Sequence, residues 1–183
     1  MKRGICKGLL TAGLLTVSVL TANSALASVD MFFKIGDIKG ESQDAKHKDE
    51  IDVLAWSWGA SQGNARTKRG LLPTACIQDL SFTKWLDKAT PELILNGVSG
   101  FSVPSAVLTV RKAGDKPLDY LVLEMSNVTV SSYQTGGSGG EDRLTETVTL
   151  TFERLKGTYR QQLPDGSGGP PMTFDIVGGV CPN

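Results

Sequence analysis

The clearest alternation of apolar and polar residues in this chain runs from Leu144 to Phe152. One parity is apolar and is interrupted only by Glu146, and threonine fills the other parity. A period of two is typical of a β-strand with one buried and one polar face, and β-branched threonine suits a half-exposed pleat. The apolar positions are Leu144, Val148, Leu150 and Phe152, and the polar ones are Thr145, Thr147, Thr149 and Thr151. This segment therefore predicts a strand with one face on the core and the other face towards solvent.

A second alternating segment precedes this strand and predicts the other arm of a hairpin. Its apolar positions change from odd to even along the segment: Leu121, Leu123, Met125, Val128 and Val130. A one-residue bulge near Ser126 and Asn127 would bring both sets onto one face of the strand. Residues 134–143, QTGGSGGEDR, contain no apolar side chain. Residues 120–152 are therefore predicted to form a long antiparallel hairpin with a glycine-rich tip.

Shorter alternating segments predict further strands along the chain. They lie at Val29–Ile35, Ile51–Gly59, Cys76–Phe82, Ala106–Val110 and Met172–Ile176. In the second of them, Leu54, Trp56 and Trp58 share one parity and are expected to fill the core. The opposite parity, with Ile51 and Val53, carries smaller side chains that could face another surface.

One helix is predicted, from Pro91 to Asn96. Thr90 would cap a helix that begins with proline, and Gly97 would end it. The stretch Ala60–Thr74, which carries Arg66, Lys68 and Arg69, is predicted to be a loop, either solvated or a basic segment that docks on an acidic partner surface. Roughly seven to nine strands with one short helix favour a mainly β fold, either a small antiparallel β-barrel or a two-sheet sandwich, with the helix at its side.

The first 27 residues have the three parts of a secretory signal peptide. Basic residues near the start precede a largely apolar run, and Ala25-Leu26-Ala27 is a small-x-small cleavage site. This leader holds three of the 19 basic and none of the 19 acidic residues, so the remainder has a net charge of −3. A mildly acidic domain over 28–183 is not expected to bind nucleic acid or, once the leader is removed, to insert into a membrane.

Candidate catalytic chemistry is sparse. His47 is the only histidine, and no spacing places it with a nucleophile and an orienting carboxylate. Two distant cysteines and one histidine do not supply the clustered ligands of a zinc site. The glycine-rich tip lacks the lysine of a phosphate loop and carries Glu141 and Asp142 instead. We predict no catalytic, cofactor or metal site, and hence no enzyme.

Cys76 and Cys181 are the cysteines that remain after the leader. In an oxidising compartment they could pair and close a long loop, which would stabilise the fold. The alternative is two separate thiols, one buried in a strand and one on a loose tail. Geometry cannot be derived from sequence spacing, so both possibilities stay open.

Several segments resemble the haemolysin-coregulated protein (Hcp) family, the tube proteins of bacterial type VI secretion. The most specific strings are WSWG at 56–59 and SSYQTGGSGGEDRLTE at 131–146, and the resemblance extends over about 29–152. Members of this family form a small β-barrel with a helix at its side. Their barrels assemble into hexameric rings, which stack into a tube that carries effectors in its lumen.

The resemblance implies roles for particular residues of this chain. Ser57 matches a position that faces the lumen in the family. The stretch Ala60–Thr74, with Arg66, Lys68 and Arg69, matches the loop that contacts the neighbouring ring, although its basic character departs from the usual pattern. The implied partners are other copies of the chain, type VI effectors and the sheath and spike components.

The leader is a second departure, because ordinary family members lack one. It implies export to the periplasm of a Gram-negative bacterium and beyond, with the Hcp-like body intact. The first expectation is therefore a secreted structural subunit of a ring or tube. The alternative is an exported, stand-alone Hcp-like effector or binding protein that acts at a host or rival cell surface.

Overall fold

The structure, a computed structural model, describes residues 29–67, 70–114, 116–140 and 142–180. The predicted leader at 1–27 lies outside the described residues, so its cleavage stays a prediction. The described part contains β1 Val29–Ile35, β2 Ile51–Ser57, β3 Ala60–Thr67, β4 Gly70–Ile77, β5 Leu80–Trp85, α1 Thr90–Ser99, β6 Ser102–Lys112, β7 Leu118–Gly136, β8 Thr145–Thr151, β9 Arg154–Gln162, β10 Gly168–Val177 and β11 Gly179–Val180.

Six antiparallel strands close into a barrel in the order β7-β6-β1-β2-β5-β8, and β8 returns to pair with β7. β9 pairs with the first part of β7, and β10 pairs with β9, so these two strands extend the sheet beyond the barrel. α1 packs against β7. The predicted mainly β barrel with one helix at its side is confirmed. No helix in the described ranges is long and apolar enough to cross a membrane.

β7 pairs with β6 along its first part and with β8 along its later part. Its buried side chains change from odd to even positions between these two parts. Met125 and Val128 are both buried, and the two residues between them are exposed. Asn127 has a φ of 52°, a left-handed conformation that asparagine tolerates better than most residues. The register against β8 shifts again beside Ser131, between Val130 and Ser132. The predicted change of face near residues 126 and 127 is therefore confirmed.

β2 shows the opposite result, because its predicted buried face is largely wrong. Ile51 and Val53 are buried, whereas Leu54 is 39 % exposed. The register against β5 shifts between Val53 and Ala55, so the inward parity changes in the middle of the strand. Only from Trp56 onward do the even positions pack against the core, and Trp56 is partly buried there.

The predicted loop Ala60–Thr74 is also wrong, since it forms most of a β-hairpin. β3 and β4 pair from Ala60↔Ile77 to Thr67↔Gly70, and β11 adds a parallel strand to β4. We call this hairpin, Ala60–Ile77, the arm. It belongs to a sheet separate from that of the barrel, so it does not need the core-facing alternation that reveals a barrel strand. The predicted strand Cys76–Phe82 is consequently divided between the arm and β5.

α1 is longer than predicted and begins differently. It runs to Ser99 and ends at Gly100, which has a φ of 67°. Gly97 does not stop the helix; a Cβ there would lie 3.3 Å from Val130 Cγ1, so glycine lets α1 approach β7 closely. Thr90 is not the N-cap, because Ala89 holds that position without a side-chain hydrogen bond.

A buried ionic network explains both the position of Thr90 and the interruption at Glu146. Lys84 and Glu146 lie opposite each other on β5 and β8, and both side chains are fully buried. Lys84 Nζ lies 2.6 Å from Asp87 Oδ1 and 2.7 Å from Glu146 Oε1, which accepts no well-directed hydrogen bond and depends on this ion pair. Glu146 Oε2 accepts hydrogen bonds from Thr90 at 2.9 Å and Tyr133 at 2.8 Å. The network thus joins the start of α1 to three strands.

Removing the cation from this network should be costly. We expect Lys84→Met to lower the free energy of unfolding by roughly 3–5 kcal/mol, because two carboxylates lose their buried partner. The matched control is Lys156→Met, whose partner Glu124 lies 3.1 Å away with both side chains about half exposed; it should cost no more than about 1 kcal/mol. Urea unfolding measures the loss of stability in both variants. Equal losses would contradict a stabilising role of the buried network.

The hydroxyl of Tyr133 should make stability depend on alkaline pH. Burial, and then the hydrogen bond to Glu146, raise the pKa of Tyr133 from 10.0 to about 12. A raised folded-state pKa contributes stability below the unfolded value, and this is lost as the pH rises from 10.0 towards 12. In urea unfolding across this window, Tyr133→Phe should lose less stability than the unsubstituted protein. Parallel pH profiles would disprove the assignment.

Candidate functional site

The outer side of four neighbouring barrel strands carries an uncharged, hydroxyl-rich surface. Phe82 and Val148 point into the core, so the residues next to them on β5 and β8 point outward. The strand register places four of these outward residues in one row across β2, β5, β8 and β7. The row is Ser57, Ser81, Thr149 and Ser132.

The same register builds a second row, and neighbouring positions enlarge the surface. Ala55, Thr83, Thr147 and Gln134 form that row. We call the whole surface the hydroxyl face; its members are Ala55, Ser57, Ser81, Thr83, Thr129, Ser132, Gln134, Thr145, Thr147, Thr149 and Thr151. None of these side chains is charged, and all are short except Gln134. The threonines that the sequence predicts on a polar strand face thus become part of a surface four strands wide.

Hydrogen bonds within the hydroxyl face hold its side chains in place. Ser81 Oγ lies 2.9 Å from Thr149 Oγ1, and Thr83 Oγ1 lies 3.4 Å from Thr147 Oγ1. Such cross-strand hydroxyl pairs stabilise a sheet modestly. Each hydroxyl can still donate or accept one more bond from a partner. The arrangement is suited to many weak, neutral contacts.

His47 lies apart from the hydroxyl face, in the loop between β1 and β2. Its ring stacks on Phe32 of β1 at 4.4 Å, and its Nδ1 lies 2.8 Å from Glu50 Oε2. These contacts fix the loop to the barrel. Within the described ranges, no group of three or more His, Cys, Asp or Glu side chains is arranged to hold a metal ion.

The same loop is tied to β6 by a buried arginine. Arg111 is 4 % exposed, and its guanidinium donates to Asp44 at 2.9 Å and to Asp119 at 2.6 Å. The backbone N–H of Lys46, together with Arg111, holds the pKa of Asp44 below its usual value. The loop therefore has a defined shape at neutral pH despite its polar sequence.

Of the residues assigned through the resemblance, Ser57 and Arg66 fall on well-separated features. Ser57 is exposed at the end of β2, and Trp56 beside it points towards the core. Arg66 belongs to β3, near the far end of the arm. Lys68 and Arg69 lie outside the described residues. The arm starts at Ala60, so it leaves the barrel beside the Ser57 end of the hydroxyl face.

Cys76 lies in β4 at the base of the arm. It is 8 % exposed and takes part in a disulfide bond. Cys181 lies outside the described residues, so the pairing of these two cysteines stays a prediction. The partners of Ser57 in its row were not identified from the sequence, because only the register between distant strands brings them together.

Comparisons with known proteins agree on one family. The family model described as "Type VI secretion system effector, Hcp" matches residues 32–159. Protein hcp1 of Pseudomonas aeruginosa is 53 % identical over 148 residues, which cover 78 % of this chain and 91 % of that protein.

Solved structures give the same result. Hcp1 from Salmonella typhimurium is 33 % identical with a TM-score of 0.67, and the match covers 83 % of this chain and 95 % of that one. A structure described as a type six secretion system protein is 32 % identical with a TM-score of 0.74, covering 82 % and 96 % respectively. The predicted resemblance is therefore confirmed, and the chain belongs to the Hcp family of the type VI secretion system.

Proposed function

We propose that this chain, a type VI secretion tube subunit by its family, closes into hexameric rings whose channel is lined by the hydroxyl face. The row that joins Ser57 to three other hydroxyls carries this proposal. A channel that passes different proteins must contact each of them without holding any tightly. Short neutral side chains avoid strong Coulomb attraction, and hydroxyls can replace part of the hydration that the cargo loses.

Two exposed apolar surfaces support ring closure. One lies at the end of α1, where Leu95, Val98 and Phe101 are 64 %, 79 % and 70 % exposed. The other lies on one face of β9 and β10, where Met172 pairs with Tyr159 and Phe174 follows two residues later. These surfaces are attached to different parts of β7. A head-to-tail ring needs two different complementary surfaces on each subunit, and apolar patches of this kind are typical of interfaces.

The arm supports stacking of rings. Its eight-residue strands extend roughly 26 Å at about 3.3 Å per residue, which is enough to pass beyond the edge of a barrel. We propose that the arm contacts the next ring and that Arg66, Lys68 and Arg69 supply positive charge to this contact. The sheath and spike components and the effectors carried in the channel are the other proposed partners.

The leader and the cysteines support a proposal about location. We propose that residues 1–27 direct export through the periplasm and that Cys76 then pairs with Cys181. β11 runs parallel to β4 with Gly179 opposite Cys76, which brings the chain alongside Cys76 two residues before Cys181. The proposed role is structural, without catalysis, without bound nucleic acid and without membrane insertion after the leader is removed.

Light scattering coupled to size-exclusion chromatography tests the ring. The chain without residues 1–27 should elute with the mass of a hexamer. Each subunit has two apolar surfaces that are exposed to water in the monomer, and their burial against neighbouring subunits favours association. A stable monomer at every concentration would contradict ring formation. That result would favour the stand-alone exported effector instead.

Substitution of Ser57 tests the channel. Ser57→Gln should leave the hexamer intact but reduce co-purification of a co-expressed effector by about tenfold, equivalent to about 1.4 kcal/mol, because six longer side chains enter the channel. Ser105→Gln, at an exposed serine of β6, is the matched control and should leave cargo binding unchanged. Loss of the hexamer in Ser57→Gln would place this residue in a subunit interface.

A further inference from the structure

The arm is attached to the barrel more loosely than a barrel strand is. In the described ranges its sheet, β11-β4-β3, shares no strand pairing with the eight-stranded sheet. At its base, the Gln78 N–H donates to Gly59 O at 3.0 Å. Among the backbone contacts of the described residues, the arm has its two chain connections, this hydrogen bond and one further element that sets its direction.

That further element is the end of the described chain, which forms a strap between barrel and arm. The Gly178 N–H donates to Glu153 O on the barrel side at 3.0 Å. The next two residues, Gly179 and Val180, pair with Cys76 and Ile77 of the arm. The strap lies so close to the arm that a Cβ at Gly178 would be 2.3 Å from Ile77 Cδ1.

The described hydrogen bonds of the strap are few. The parallel ladder between β11 and β4 has two described residue pairs, and so short a ladder is weakly stable by itself. The anchor available here is the disulfide of Cys76, which lies at the first position of this ladder. A covalent bond at this position turns a weakly paired strand into a second attachment of the arm that lasts as long as the disulfide is oxidised.

We propose that the disulfide between Cys76 and Cys181 is a redox lock on the arm and so controls the stacking of rings. This inference rests on the proposed role of the arm in stacking. On oxidation, the two thiols lose two electrons and two protons to a disulfide oxidant. The exchange passes through a mixed disulfide, and the oxidant leaves as two thiols. On reduction the covalent link of the strap is lost, and of the attachments described above the two chain connections and the hydrogen bond between Gln78 and Gly59 remain.

The lock would make stacking depend on the compartment. Cytoplasmic thiols stay reduced, whereas the periplasm and the exterior permit disulfides. An arm fixed in its binding direction loses less conformational entropy on contact than a mobile one, so it binds its partner more tightly. Rings would thus stack more strongly after export than before it.

The test uses the chain without residues 1–27 in an oxidised form and in a form reduced with a phosphine. Peptide mass mapping of the oxidised form should give a cross-link between Cys76 and Cys181. Amide hydrogen exchange in the arm should be about tenfold slower in the oxidised form, whereas exchange in β1 and β6 should be equal in both. Sedimentation should show larger stacks in the oxidised form.

Cys181→Ser is the variant of choice, because it removes the proposed disulfide and leaves the buried Cys76 unchanged. This variant should show the same amide hydrogen exchange in the arm and the same sedimentation as the reduced form. Addition of reductant should change neither measurement. Amide hydrogen exchange in the arm that is the same in oxidised and reduced protein overturns the lock, as does a disulfide that joins two copies of the chain instead of Cys76 and Cys181. Larger stacks in the reduced form also overturn it. If neither form makes rings, the proposed function is wrong. The hydrogen-exchange comparison of oxidised and reduced protein still tests separately whether the disulfide restrains the arm.

Discussion

Pairing of β7 with β8 closes the barrel, and the other features of the structure depend on this closure. The first part of β7 pairs with β6 and β9, and the later part pairs with β8. A regular strand could not keep its apolar side chains inward along both parts. The left-handed conformation of Asn127 and the register shift beside Ser131 make the turn possible. Once the sheet closes, the inward positions form the core, and the outward residues of the hydroxyl face stay exposed or half-buried.

The Lys84–Glu146 pair is the unusual component of this core. Burial of two charges is expensive, and their attraction offsets the cost only where geometry is good and the remaining polar atoms are bonded. Here Asp87, Thr90 and Tyr133 supply those additional contacts. An apolar pair could fill the same volume, but it would not require Thr90 to lie against β8. We interpret the pair as a device that fixes α1 on the barrel in one position.

Much of the barrel was predictable, because its strands obey a simple period. The alternation in β8 and the change of parity in β7 were derived from the sequence and are present in the structure. Glu146 looked like an interruption of the pattern, yet its side chain is in the core because Lys84 of a distant strand lies opposite. The inward face of β2 differs from the one that its alternation predicts for a related reason, because the register shift after Val53 arises in the pairing with β5.

The functional surfaces were less predictable than the core. The arm has no apolar alternation to reveal it, and its sheet is separate from that of the barrel. The resemblance located Ser57, but the row of hydroxyls beside it follows from registers between strands far apart in sequence. Positions of this kind become visible only when the strand order is known.

The central claim is that closure of the barrel turns the hydroxyl face towards a channel formed by neighbouring subunits. Electron cryomicroscopy of assemblies of the chain without residues 1–27 tests it most directly. We expect a ring in which β2, β5, β8 and β7 line the channel and the arms point towards the next ring. A map in which these four strands lie against a neighbouring subunit, or on the outer surface, would contradict it.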